Sequence, residues 1–138
     1  MSEILIDTGP LVAILCAGDK DHAWTVAQFR ALPPPFLTCE AVIAEACYLI
    51  ERRRVNGAVL LERIENGLLR IALEIEDHCA ELRKLMTRYA NVPMSLADSC
   101  LVRLSEIYPQ CHVLTLDSDF RVYRRNGRQM IPTITPDR

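Results

Sequence analysis

Two short apolar runs in this chain each stop on an aspartate: Ile4-Leu5-Ile6 at Asp7, and Val113-Leu114-Thr115-Leu116 at Asp117. Runs of that length, bounded by turn chemistry, read as buried strands. Asp7-Thr8-Gly9-Pro10 supplies a turn after the first run and puts a proline in the opening turn of a helix that continues to Leu15. Helices are expected over residues 22–32, 39–54, 57–66, 77–89 and 95–107, with Asp77 as an N-cap and Asn66-Gly67 as a C-cap. Strands are expected over 3–6, 36–38, 68–75, 112–116 and 129–134, with a turn over 118–125. Short strands alternating with helices predict an α/β fold: a short central parallel sheet with helices on both faces. Ligands in such sheets bind beyond the carboxyl ends of the strands, where Asp7 and Asp117 both fall.

A length of 138 residues suits one domain, 1–138, without room for a second core. The net charge of −2 advertises no basic field for nucleic acid, although a carboxylate site lowers the charge by itself and bound metal restores positive potential locally. Of the 16 cations only Lys20 and Lys84 are lysines. The six cysteines form no C-x-x-C pair and mostly sit beside aliphatic residues, so reduced, buried thiols are expected. The opening MSEILIDTG lacks the parts of a signal peptide, and no apolar run approaches the ~18–20 residues of a membrane span. A soluble, cytoplasmic protein with no membrane contact is the expectation.

Most of the 18 acids have polar neighbours and read as solvated surface; four do not. Asp7 and Asp117 close the two strand runs. Glu45 lies in AVIAEACYLI, roughly 40° from Leu49 on a helical wheel, whereas Glu40 projects to the far side. Asp98 lies in MSLADSCLV between Leu101 and Val102 on the wheel, near a helix N-terminus. Each alone has an ordinary reading as a turn residue, a cap or an ion-pair partner. Together they would need several buried cations, and the arginines cluster at 52–54 and 121–128, mostly on segments that read as exposed. A hard divalent ion, Mg²⁺ or Mn²⁺, is the economical counter-charge. Ions so held support in-line phosphodiester hydrolysis. His22, His78 and His112 carry no motif, and there is no Walker loop or GxGxxG.

These motifs, ILIDTGPLVAIL, TCEAVIAEACYLI, LADSCLVRLSE and VLTLDSDF, resemble in order and spacing the PIN-domain family, in particular its VapC-like toxin ribonucleases, over essentially the whole chain. The resemblance implies four catalytic acids, Asp7, Glu45, Asp98 and Asp117, with Asp119 as an auxiliary acid and Thr8 and Thr115 as accompanying hydroxyls. It implies Mg²⁺- or Mn²⁺-dependent hydrolysis of RNA, a homodimer, and a small antitoxin protein as partner. On this scheme Asp7, Asp98 and Asp117 hold one ion, and Glu45 completes its shell or orients the attacking water. Asp119 helps recruit a second ion. Arg121, Arg124, Arg125 and Arg128 are candidates for gripping the RNA backbone, with a solvated C-terminal segment as the equal alternative. Trp24 is expected in the core or a dimer interface. One departure is charge, since many toxin members are more basic. Two other readings stay open: a catalytically weak RNA-binding or protein-interaction module on the same fold, and a phosphoacceptor receiver. The receiver wants a lysine near the end of a late strand, which this chain lacks.

Overall fold

The computed structural model describes residues 2–137. The chain runs β1 (Glu3–Ile6), α1 (Thr8–Leu15), α2 (His22–Ala31), β2 (Phe36–Thr38), α3 (Glu40–Glu51), α4 (Ala58–Glu65) and β3 (Leu69–Ile71). A 3-10 turn (Ile75–His78), α5 (Cys79–Arg88), α6 (Leu96–Ile107) and β4 (Cys111–Leu114) follow. A second 3-10 turn (Ser118–Arg121) leads to β5 (Arg124–Arg125), β6 (Gln129–Met130) and β7 (Thr133–Ile134). Five strands form one parallel sheet in the order β3-β2-β1-β4-β7, while β5 and β6 make a separate antiparallel hairpin.

Apolar continuity explains the central strands. Leu5, Ile6, Leu37, Val113 and Leu114 are all fully buried, as expected for a parallel sheet covered on both sides. Each such aliphatic contributes roughly 1.5–3 kcal/mol by leaving water. Helix α6 packs on β1, β4 and α3, and α1 packs on α3. Val42, Ile43, Ala46 and Ile50 form the buried stripe of α3, with the period of an amphipathic helix. Gly67, at φ +86°, closes α4 in the left-handed conformation that favours glycine. All six cysteines are free, and Trp24 is half-buried against the core. Among the described residues no helix is long and apolar enough to cross a membrane.

Three expectations are corrected. The strand predicted over 68–75 covers only Leu69–Ile71, because its one neighbour, β2, offers just three residues to pair with. Asp77 does not cap α5: it lies inside the 3-10 turn, and His78 precedes the helix without a side-chain cap. The strand predicted over 129–134 is two strands in different sheets, β6 and β7, parted at Ile131-Pro132. Proline has no N–H for a ladder, but the Pro132 carbonyl still accepts from the Val113 N–H at 2.9 Å.

The order of strands decides where a ligand can sit. From β1 the chain first builds outward through β2 and β3, then returns to lay β4 on the other side of β1. The reversal between β1 and β4 opens a crevice at their carboxyl ends. Ile6 pairs with Leu114 there, so the residues that follow each strand become neighbours.

Candidate metal centre

Three carboxylates enter this crevice, each fixed by the start of a helical turn. Asp7 caps α1, its Oδ1 accepting the Thr8 N–H at 2.7 Å. Asp98 forms a reciprocal capping box with Ser95: the Asp98 N–H donates to Ser95 Oγ at 3.0 Å, and the Ser95 N–H donates to Asp98 Oδ2 at 3.3 Å. Asp117 caps the second 3-10 turn, its Oδ1 accepting the Asp119 N–H at 2.9 Å. The capping interpretation and the site interpretation are therefore both true of the same residues. Capping orients the acids, and the fold brings one oxygen of each to within 4.8 Å of the others. Gly9 helps the first turn of α1 approach, since a Cβ there would stand 3.2 Å from that of Leu116.

No described residue forms an ion pair with any of the three: the ion pairs lie elsewhere, at Arg53–Asp19, Arg63–Glu62 and Arg103–Glu106. Asp7 registers the consequence. Burial, and then the charges of Asp98 and Asp117, push it up to about 7 against hydrogen bonds from Thr115 and the Thr8 N–H that lower it. The Thr8 hydroxyl is buried on the wall of the same cleft with no hydrogen-bond partner among the described residues. An all-oxygen donor set, a buried carboxylate held near neutrality for want of counter-charge, and an orphaned hydroxyl together fit a hard divalent cation.

The remaining predicted residues fall at graded distances from this centre. Glu45 lines the cleft, of about 460 Å³, along with Leu49 on α3, while Glu40 is not on its wall. Glu45 is nevertheless exposed rather than tucked into the apolar border, and it is not one of the three whose oxygens converge. Asp119 sits two residues beyond Asp117, its carboxyl raised by partial burial and then by Asp117 and Asp98. Thr115 is buried, donating to Asp7 Oδ2 at 2.7 Å and accepting the Asp117 N–H at 3.0 Å. The four arginines disperse. Arg121 borders a cavity beside the cleft, and Arg128 is exposed. Arg124 Nη1 donates to the carbonyls of Arg121, Val122 and Tyr123, and Arg125 Nη1 to that of Ser105.

Sequence reasoning missed Tyr123. It is fully buried and its hydroxyl donates to Asp98 Oδ2 at 2.9 Å, with burial and the neighbouring acids pushing its own ionisation far upward. Phe120 and Tyr89 hold the ring edge-on at 5.2 Å each. The Ser95-x-x-Asp98 spacing, by contrast, is a capping-box signal present in the sequence.

The model of the PIN domain family matches residues 4–126, which include all the acids of the centre. The chain belongs to the PIN-domain family. It is 27% identical over 116 residues to Ribonuclease VapC26 of Mycobacterium tuberculosis, covering 83% of this chain and 86% of that one. Its fold superposes on the crystal structure of VapC20 from the same organism, a toxin that cleaves the sarcin–ricin loop, with a TM-score of 0.75 at 22% identity over 87% of this chain and 94% of the other.

Proposed function

We propose that residues 1–138 form a single endoribonuclease domain dependent on Mg²⁺ or Mn²⁺, the toxin of a type II toxin–antitoxin pair. The observation that carries this is the convergence of Asp7, Asp98 and Asp117 oxygens within 4.8 Å, none of them ion-paired with a described residue, in a PIN-domain chain. The likeness to VapC26, named a ribonuclease, supports RNA as the substrate class. A cytoplasmic homodimer held inactive by a small antitoxin protein is the state expected for such a toxin.

When bound, the divalent ion supplies Lewis-acid stabilisation of the phosphate and an acidified water. The rest of the work belongs to the chain. Asp7, Asp98 and Asp117 present oxygens already oriented by their caps, so little side-chain entropy is lost on loading. Thr115 and Tyr123 hold Asp7 and Asp98 in place through their hydroxyls. Glu45, exposed on the cleft wall, either completes the ion's shell or, as general base, orients and deprotonates the attacking water. Asp119 is the auxiliary acid, available to a second ion.

Purified protein incubated with total RNA and Mn²⁺ should cleave it, EDTA should stop cleavage, and Asp117→Asn should be inactive while folded. RNA binding without cleavage under all metal conditions would instead favour a binding module on the PIN fold. A short open reading frame immediately upstream is the expected genomic sign of the antitoxin.

A further inference from the structure

Two more cavities open beside the acidic cleft, and one side chain lines all three: Lys20. The first, of about 520 Å³, is walled by the turn after α1 together with Arg53 and Val55, and shares Asp19 with the cleft. The second, of about 340 Å³, contains Arg121, Ser118 and Thr135, and shares Asp21 and Leu116 with the cleft. Three adjoining hollows thus meet at Lys20, with Arg53 lining the first and Arg121 the second.

Lys20 is the one cationic side chain among the described residues of the cleft wall. Its turn is braced from beside it. Asp19 Oδ2 is taken by Arg53 Nη1 at 2.8 Å and Oδ1 by the Asp21 N–H at 2.9 Å, so both Asp19 oxygens are committed. Lys20 is exposed and makes no ion pair within 4.0 Å among the described residues. A chain of net charge −2 with a cluster of acids at its centre repels a polyanion, so the substrate strand needs a local cation beside those acids. Lysine serves as a compact point charge for a phosphate.

We propose that Lys20 is a substrate-positioning residue: its ammonium holds a backbone phosphate adjacent to the one cleaved, with single-stranded RNA laid across the hollows that adjoin at Lys20. This rests on the nuclease function proposed above. Duplex RNA, by contrast, is read across broad minor-groove surfaces.

The test uses the full chain with a short single-stranded RNA. Lys20→Ala should raise KM about tenfold with kcat nearly unchanged, as for one charged contact made equally in ground and transition states. The dependence of log affinity on log salt should become shallower by about 0.7, the share of one phosphate on a single strand. Lys20→Arg should restore most of both, and Lys84→Ala, on α5 and away from these hollows, should change neither. The same substitutions in an Asp117→Asn background, read by fluorescence anisotropy in Mn²⁺, report binding without cleavage. Unchanged KM, affinity and salt slope in Lys20→Ala would overturn the proposal, as would absence of RNA binding by the wild-type protein. RNA binding that depends on Lys20 in a wild-type protein that never cleaves would keep the Lys20 contact and overturn the nuclease function instead.

Discussion

Thr115 Oγ1 donates to Asp7 Oδ2 across 2.7 Å, joining residues 108 positions apart. Sheet register sets this contact. Ile6 pairs with Leu114, and the Asp7 N–H donates to the Leu114 carbonyl at 3.0 Å, so the first residue beyond β1 meets the first beyond β4. The same hydroxyl accepts the Asp117 N–H at 3.0 Å, which couples two of the three converging acids through one oxygen.

Thr115→Val keeps the shape and removes that oxygen. Asp7 loses a bond that favours its charged form, and the Asp117 N–H loses its acceptor. At about pH 8 the metal-free protein should be destabilised by about 1–3 kcal/mol, measured by urea denaturation. Mn²⁺ affinity should weaken about tenfold, the lower end of what outer-shell partners contribute. Thr115→Ser should recover both, and a valine variant with wild-type affinity would show that the hydroxyl does not orient Asp7.

The elevated acidity range of Asp7 makes both stability and metal binding depend on pH. Its carboxyl lies at 3.8 when unperturbed and about 7 in the folded, metal-free chain, mainly through burial. A folded value above the unfolded one favours folding at low pH. That contribution is complete below about pH 4 and lost as pH rises through about 7, a change of roughly 4 kcal/mol. Metal-free Asp7→Asn should lack this loss and be the more stable protein at about pH 8, while failing to cleave RNA. In the native chain Mn²⁺ must displace the Asp7 proton, so affinity should climb up to about pH 7 and then level off. Calorimetry in buffers of different ionisation enthalpy would detect the released proton, and a flat affinity profile from about pH 5.5 to 7.5 would refute the assignment.

Much of the centre was legible because its acids break local patterns. Asp7 follows β1 directly, Asp117 closes the apolar run in which β4 lies, and Asp98 falls between Leu101 and Val102 on the helical wheel, signals carried by neighbours in sequence. Glu45 was separated from Glu40 by helical phase, and the cleft wall contains the former. The wheel misjudged its burial because phase tells which way a residue faces, not whether another layer covers it. Opposite Glu45 lies an open cleft. The early end of β3 was illegible for a similar reason, since the partner strand limits it. Tyr123 sits among Arg121, Arg124 and Arg125, so its surroundings read as solvated. It is buried in the tertiary fold, where it packs against Phe120 and Tyr89.

Tyr123→Phe isolates one hydroxyl from that packing. The ring contacts survive, and Asp98 Oδ2 keeps the longer bond from the Ser95 N–H. Stability should fall by about 1.5–3 kcal/mol, the range for a hydrogen bond to a charged acceptor. Mn²⁺ binding should weaken at least several-fold, because Asp98 is freer to turn within its capping box. If metal affinity were unchanged while stability fell, Tyr123 would be a core residue that happens to touch the site.

Glu45 offers the cleanest separation of holding metal from doing chemistry. It is exposed on the cleft wall, outside the trio that converges, and no described residue donates a hydrogen bond to its carboxylate. Glu45→Gln should therefore leave thermal stability within about 0.5 kcal/mol, as for most surface changes. If Glu45 serves as general base, the glutamine variant should bind Mn²⁺ within about threefold of wild type yet lose 10²–10⁴ in kcat, the usual contribution of such a base. If it completes the metal shell instead, affinity and kcat should fall together, and raising Mn²⁺ should rescue cleavage. Titrating metal against single-turnover rate distinguishes these two roles, and full activity at low Mn²⁺ would remove Glu45 from the centre altogether.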